Sequence, residues 1–362
     1  MEFVCQAVSD RSYSVHFDWG ILDQLASLLE QQKLRGPFYV ISDKTVFRHQ
    51  GRRLEKALRG LPFHYFLVPS GETSKDLRHW KQIQDFLLKK GADRRSTIIA
   101  FGGGVIGDLA GFSASTFMRG LDLVQIPTTL LSQSDSSIGA KVAVNHPRAK
   151  NLIGSFHQPR MVITDPLLLE TLPAREFSAG LGEAIKYGVI SDPELFELLH
   201  KNLEKILAYN KEPLGDLISR CIAIKIRVVE EDEKEMGLRK ILNFGHTIGH
   251  ALEQATRYKV LRHGEAVAWG MLGAGYIAIR RKMWDPAEFD KLKSIIVRSK
   301  SLHPFGALKS KDILKALKHD KKKTGKALNF VLPVETGKVT IVSDVSRQEV
   351  LAALDYMFQF RA

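Results

Sequence analysis

Residues 243–254 read NFGHTIGHALEQ and set His246 and His250 four positions apart, a spacing that in a helix stacks two imidazoles one turn apart on one face. Two imidazoles so placed can share a metal ion or divide two tasks, and the spacing leaves the choice open. The same pattern occurs where histidines cap packing or face solvent. Arg239, Asn243, His246 and His250 follow at steps of four, three and four, a polar stripe on an otherwise apolar helix that calls for a ligand or a buried network. Upstream, AGLGEAIK places Glu183 and Lys186 on one helical face, and downstream HGEAV opens an apolar helix with His263.

A second chemical signal is TIIAFGGGVIGDLAGF, in which a β-branched run leads straight into Gly102, Gly103, Gly104 and Gly107. This satisfies G-x-G-x-x-G in the strand-to-helix context that gives the motif meaning: the glycines let the backbone approach a pyrophosphate, and the following helix points its N-terminus at the charge. The acid expected on the ribose is not at the end of the next strand. Asp43, closing the earlier strand FYVISD, is the better candidate, which departs from the ordinary Rossmann order. SGETSK offers Glu72 and Lys75 to the same cofactor, and by itself reads as a polar turn starting a helix. Residues 127–159, PTTLLSQSDSSIGAKVAVNHPRAKNLIGSFHQP, concentrate small, hydroxyl and basic residues after a strand, as functional loops do.

The elements that must position these groups follow from the apolar pattern. FYVIS, FHYFLVP, TIIAF, LVQIP and MVITD alternate with helical stretches, which predicts a parallel sheet with crossover helices over 1–165. Long helical patterns follow over 166–362, so the fold class is α/β: an N-terminal Rossmann-like domain and then a mostly α-helical one. A chain of 362 residues with 44% hydrophobic and 26% charged residues fits two globular domains. The run AVAWGMLGAGYIAI is too short to span a bilayer and reads as a buried helix, and Cys5 and Cys221 suggest neither a disulfide framework nor a thiolate metal site. A cytoplasmic protein is expected. The net charge of +13 is densest in KSKDILKALKHDKKKTGK, but that run lacks interleaved aromatics and reads as an amphipathic helix with a solvated basic face; a small anionic substrate is expected rather than nucleic acid.

Together these segments resemble the 3-dehydroquinate synthases, members of the sugar phosphate cyclases. The likeness runs from GETSK through GGGVIGDLAGF, PTTLL to KNLIG, LPAREF, EAIKYG, NFGHTIGHALE and HGEAVA to DKKKTGKALNFVLP. It implies a homodimer that uses NAD and zinc, with cobalt as an alternative metal, on 3-deoxy-D-arabino-heptulosonate 7-phosphate. The implied reaction is transient oxidation at C5, β-elimination of phosphate, return of the hydride, ring opening and an intramolecular aldol that yields 3-dehydroquinate.

The resemblance also implies roles. The metal falls to Glu183, His246 and His263, which suits zinc because three protein ligands leave positions open; His250 then faces the substrate. NAD falls to Asp43, Glu72, Lys75, Gly103, Gly104, Val105, Asp108, Thr128, Thr129, Lys141 and Lys150. Lys141, Lys150, Asn151, Asn243, His250, a lysine of Lys321 and Lys322, and Arg119 of the neighbouring subunit serve the substrate, chiefly its phosphate; Lys225 and Arg239 serve its carboxylate. Asp135, Lys186 and Glu235 orient hydroxyls or protons. The chain departs from the family pattern where G-G-K-T becomes Gly139-Ala140-Lys141-Val142, so a positive φ at residue 140 would strain the loop that aims Lys141. Alternatives are a sibling cyclase and a metal-dependent oxidoreductase of the glycerol-dehydrogenase type.

Overall fold

The structure, a computed structural model, describes residues 12–147, 149–233, 237–324 and 328–360, the side chains of 318–324 excepted. It divides into two compact units, Met1–Thr128 with Ser136–Leu168, and Thr129–Asp135 with Leu169–Ala362.

In the first unit the chain runs β1 (Ser14–Phe17), α1 (Leu25–Gln31), β2 (Phe38–Asp43), α2 (Lys44–Ala57), β3 (Phe63–Val68), α3 (Leu77–Lys89), β4 (Thr97–Gly102), α4 (Gly104–Thr116), β5 (Asp122–Pro127), β6 (Lys141–His146), β7 (Ala149–Phe156) and β8 (Met161–Thr164). Six strands pair in parallel in the order β1-β8-β5-β4-β2-β3, and β6 and β7 form an antiparallel pair. The apolar runs FYVIS and TIIAF are unbroken because β2 and β4 are covered on both faces, whereas β3 lies at the edge and is only half buried. Leu25, Leu54, Leu58 and Phe101 belong to one core layer, and Tyr39, Ile83, Leu109, Leu123 and Val142 to another.

The strand order explains the unusual placement of the candidate ribose acid. The chain reverses its direction of travel across the sheet between β2 and β4, with Ser42 opposite Phe101, so Asp43 stands beside Gly102. An acid that precedes the glycine loop by some sixty residues in sequence is therefore its neighbour in the sheet, at the switch point where open α/β sheets bind ligands. Asp43 also caps α2, its Oδ1 accepting the Thr45 and Val46 N–H groups at 2.8 and 3.0 Å.

The second unit contains α5 (Ala174–Ser191), α6 (Pro193–Leu207), α7 (Lys211–Glu231), α8 (His246–Ala255), α9 (His263–Arg280), α10 (Pro286–Arg298), α11 (Ser310–Thr324), the hairpin β9 (Phe330–Glu335) and β10 (Lys338–Val342), and α12 (Arg347–Phe358). Among the described residues no helix is long and apolar enough to cross a membrane. Nearly every residue of α5 and α9 is buried, which accounts for their all-round apolar composition. Glycines set how closely they pack. A Cβ on Gly264 would lie 1.8 Å from the Ala179 carbonyl oxygen, and one on Gly270 would lie 1.8 Å from that of Gly245. Backbone contact of this kind holds α9 against both α5 and the start of α8.

The continuous polar stripe expected over 239–250 is interrupted. Leu238–Asn243 form a 3-10 turn, and Gly245, at φ +80°, breaks the path before α8 begins at His246. Only His246 and His250 share the helix; the close approach of Gly245 to α9 decides the break.

Because the Gly270 contact is with backbone, neither partner can move aside. Gly270→Ala should lower the unfolding free energy by about 3 kcal/mol or more despite alanine's better helix propensity. Urea denaturation against wild type measures this, and an unchanged midpoint would refute the packing argument.

Candidate functional site

The second unit gathers a cluster from α5, α8 and α9. Glu183 is fully buried, and its Oε1 accepts no hydrogen bond although it lies 3.6 Å from His246 Nε2 and 3.5 Å from His263 Nε2. Those separations are too long for hydrogen bonds. They match the spacing of about 3.3 Å expected between two ligand atoms on one tetrahedral zinc. Both imidazoles are oriented for ligation through Nε2: His246 Nδ1 faces the Phe244 carbonyl at 3.2 Å, and His263 Nδ1 faces Glu253 Oε2 at 3.3 Å. Burial, with Lys186 and the other two histidines nearby, pushes the His246 pKa well below its usual value and keeps its nitrogen lone pair available. Burial opposes protonation of His263 too, but Glu253 more than offsets it and raises that pKa.

His246, His250 and His263 form an alternative ligand set, with nitrogen atoms all within 4.8 Å of one another. The Glu183 set is the better fit, because its buried carboxylate oxygen accepts no hydrogen bond and lies 3.6 and 3.5 Å from the two imidazole nitrogens. His250 is exposed and packs its ring against those of His246 and His263.

Beside this cluster stands a network of charges. Lys186 pairs with Glu183 Oε2 and lies 3.9 Å from Asp135 Oδ2, while Lys225 and the Tyr187 hydroxyl both donate to Asp135 Oδ1, the latter at 2.8 Å. Burial pushes the Asp135 pKa up, yet the lysine charges overcome it and hold the carboxyl far below its usual range; Asp135 is a fixed anion at neutral pH. Lys186 is likewise held charged, Glu183 and Asp135 outweighing the effect of burial. Arg239 is buried and donates to the Glu233 carbonyl at 2.6 Å. Glu235 and the side chains of Lys321 and Lys322 lie outside the described residues. Thr129 begins the segment leading to Asp135, its hydroxyl 2.8 Å from Ser132 Oγ.

The first unit assembles most of the expected nucleotide residues at the ends of β2, β3 and β4. A Cβ on Gly102 would meet Ile106 Cβ at 2.6 Å, so glycine is needed for the turn into α4. That helix starts from Gly103 with no side-chain cap and no acid in its first turn, which leaves the N-terminal amides of Gly104 and Val105 for an anion. Lys75 binds Asp108 and donates to Asn151 Oδ1 at 2.5 Å; Asn145 donates to Glu72 Oε1 at 2.7 Å and accepts the Asn151 N–H at 2.9 Å. Lys150 lies 4.0 Å from Glu72. Thr128 is buried at the end of β5, its hydroxyl without a hydrogen-bond partner, and Lys141 is exposed at the start of β6. Arg119 lies exposed in the turn after α4. Asn145, Glu253 and Tyr187 had not been singled out in the sequence. Asn145 and Tyr187 act through partners 73 and 52 residues away, and Glu253 through His263 on the next helix, so no local pattern marks them.

Ala140 has φ +61° and is buried, so it occupies the left-handed region at a cost of roughly 1 kcal/mol. Its carbonyl is fixed by the His157 N–H at 2.8 Å. Val142 is buried in the layer that includes α4, close enough that a Cβ on Gly111 would lie 2.3 Å from its Cγ1.

Comparison with known proteins identifies the family. Residues 65–179 match the family described as 3-dehydroquinate synthase N-terminal, and residues 180–323 match 3-dehydroquinate synthase C-terminal. A 3-dehydroquinate synthase of Nostoc sp. is 42% identical over 353 residues, covering 96% of this chain and 97% of its own. The structure of 2-epi-5-epi-valiolone synthase from Streptomyces hygroscopicus subsp. jinggangensis, with NAD+ and Zn2+ bound, superposes with a TM-score of 0.89 at 28% identity, covering 99% of this chain and 100% of that one. That of 2-deoxy-scyllo-inosose synthase, complexed with carbaglucose-6-phosphate, NAD+ and Co2+, gives 0.86 at 29% identity, covering 94% and 96%.

Replacing His263 with alanine should reduce bound zinc from about one per chain to near zero, while His250→Ala retains it and loses turnover. Metal analysis after dialysis measures both, and full zinc in His263→Ala would remove His263 from the ligand set.

Proposed function

The chain belongs to the 3-dehydroquinate synthase family, and from that membership and the geometry above we propose that it converts 3-deoxy-D-arabino-heptulosonate 7-phosphate to 3-dehydroquinate and phosphate in the shikimate pathway. It is an NAD- and divalent-metal-dependent lyase. The observation that carries the reading is the buried Glu183 oxygen without a hydrogen bond, flanked by two imidazole nitrogens, in a chain that also builds a glycine-loop nucleotide cradle. When bound, NAD supplies a reversible oxidation at C5 that acidifies the neighbouring hydrogen for loss of phosphate, and the metal supplies Lewis acidity at the oxidised carbon.

The protein's own residues position and neutralise. Glu183, His246 and His263 hold the metal, with Glu253 and the Phe244 carbonyl orienting the rings. Asp43 uses Oδ1 for the α2 cap and Ser70, leaving Oδ2 for a ribose hydroxyl. Gly103, Gly104 and Val105 take the pyrophosphate at the α4 N-terminus, and Glu72, Lys75, Asp108, Thr128, Thr129, Lys141 and Lys150 complete the nucleotide contacts. Lys141, Lys150, Asn151, Asn243, His250 and one of Lys321 and Lys322 receive the substrate, chiefly at its phosphate, and Lys225 and Arg239 its carboxylate. Asp135, fixed as an anion, and Lys186, fixed as a cation, orient hydroxyls and protons together with Glu235. The enzyme works in the cytoplasm as a homodimer, with Arg119 reaching the neighbouring subunit's phosphate site; exposed Met118, Leu152 and Phe156 on the first unit suit contact with a second copy.

The sibling-cyclase reading is less favoured, since sibling cyclases of known structure such as those above are 28% and 29% identical whereas dehydroquinate synthases reach 42% to 44%.

Purified protein with zinc, NAD and the heptulosonate phosphate should release phosphate many times per NAD while NADH absorbance stays flat, and deuterium at C5 should remain in the product. Stoichiometric NADH accumulation would instead identify a net dehydrogenase, and turnover only of another sugar phosphate would identify a sibling cyclase. Mixing inactive Arg119→Ala with inactive His246→Ala subunits should restore part of the activity. Verified mixed dimers with none would exclude a shared site.

A further inference from the structure

The helices that carry Glu183 and His263 are joined a second time, away from the ligand atoms. Arg175 lies in the first turn of α5, about two turns before Glu183, and Glu265 lies in the first turn of α9, two residues after His263. The guanidinium grips the carboxylate with two parallel bonds, Nε to Oε1 at 2.6 Å and Nη2 to Oε2 at 2.9 Å. Arg175 Nη2 also donates to the Val260 carbonyl at 2.9 Å, fixing the chain just before α9. Glu265 Oε2 in turn accepts the Arg262 N–H at 2.8 Å, and the Arg262 side chain reaches Glu176 Oε1 at 2.6 Å. The Glu265 side chain is only 1% exposed.

We propose that Arg175 is a positioning residue for the metal centre: its fork on Glu265 sets the first turn of α9 against α5, and thereby the separation of the His263 and Glu183 ligand atoms. Part of the contact between these helices is made by Gly182, Gly264 and the Ala179 carbonyl, which bring them to backbone distance. The fork adds a restraint against sliding and rotation at the first turn of α9, because a planar bidentate pair fixes both distance and orientation. The pair is buried on its Glu265 side alone, Arg175 being 39% exposed, and such a pair is not needed for stability, since well-packed apolar residues commonly do as well; the geometry it imposes is what an apolar pair would lack.

The inference rests on the proposed Glu183, His246 and His263 ligand set, and its test reads metal binding by the full-length apoprotein, with no turnover. An internal control lies at the other end of α9, where Arg281 makes the same kind of fork on Glu349, Nε to Oε1 at 2.5 Å and Nη2 to Oε2 at 3.1 Å. Zinc affinity, measured by competition with a chelator, should fall about tenfold or more in Arg175→Ala and change by less than about twofold in Arg281→Ala. The absorption bands of the cobalt form should shift in Arg175→Ala and not in Arg281→Ala. Arg175→Lys, which keeps the charge and loses the fork, should also bind zinc less tightly than wild type, and it carries the comparison alone if the alanine variant does not fold. Equal losses in the Arg175 and Arg281 variants, or wild-type affinity in both, would overturn the proposal while leaving the metal centre standing. Wild-type protein that binds no zinc would overturn both.

Discussion

A carboxylate buried with an oxygen that accepts no hydrogen bond is the constraint on which the second unit turns. Glu183 has Lys186 on one oxygen and two imidazole nitrogens about 3.5 Å from the other, a combination that is costly without a cation and well matched with one. Much of the surrounding structure follows from holding three such groups in register. The helices must approach to backbone distance, which is why Gly182, Gly264 and Gly270 occur where any Cβ would collide with a carbonyl oxygen. Each imidazole must present Nε2, which is why Nδ1 is occupied by the Phe244 carbonyl or Glu253.

The neighbouring charges are arranged by the same logic. Two buried lysines flank Asp135: Lys186 is held charged by Glu183 and Asp135, whereas burial, with Lys186 and Arg239 nearby, lowers the Lys225 pKa although Asp135 opposes the shift. Charges fixed in this way need little reorganisation when a polar ligand arrives.

The nucleotide unit solves a different problem, that of exposing helix-terminal amides at a defined place. Its parallel sheet reverses direction between β2 and β4, bringing Asp43, Gly102 and the GETSK turn to one end of adjoining strands. The strain at Ala140 sits in the strand-entry loop before Lys141, anchored by the His157 N–H and by Val142 in the core. The apolar packing of Val142 helps hold a left-handed residue that glycine would occupy without penalty.

Local pattern determined five strands of the parallel sheet, the long buried helices, the glycine loop and the spacing of Glu183, Lys186, His246 and His250, because periodicity and β-branching are properties of consecutive residues; it did not reveal β1, β6, β7, β9 and β10. The resemblance then supplied roles that no spacing could. The sequence alone could not place Asp43 beside Gly102, since that adjacency depends on strand order, nor join Arg175 to Glu265 or Glu253 to His263, which are brought together only by helix crossing. It also read 239–250 as one helix, because a glycine's local pattern does not reveal that Gly245 must turn to φ +80° to pass α9. Tertiary contact decided those points, since the partner that fixes each residue lies elsewhere in the chain.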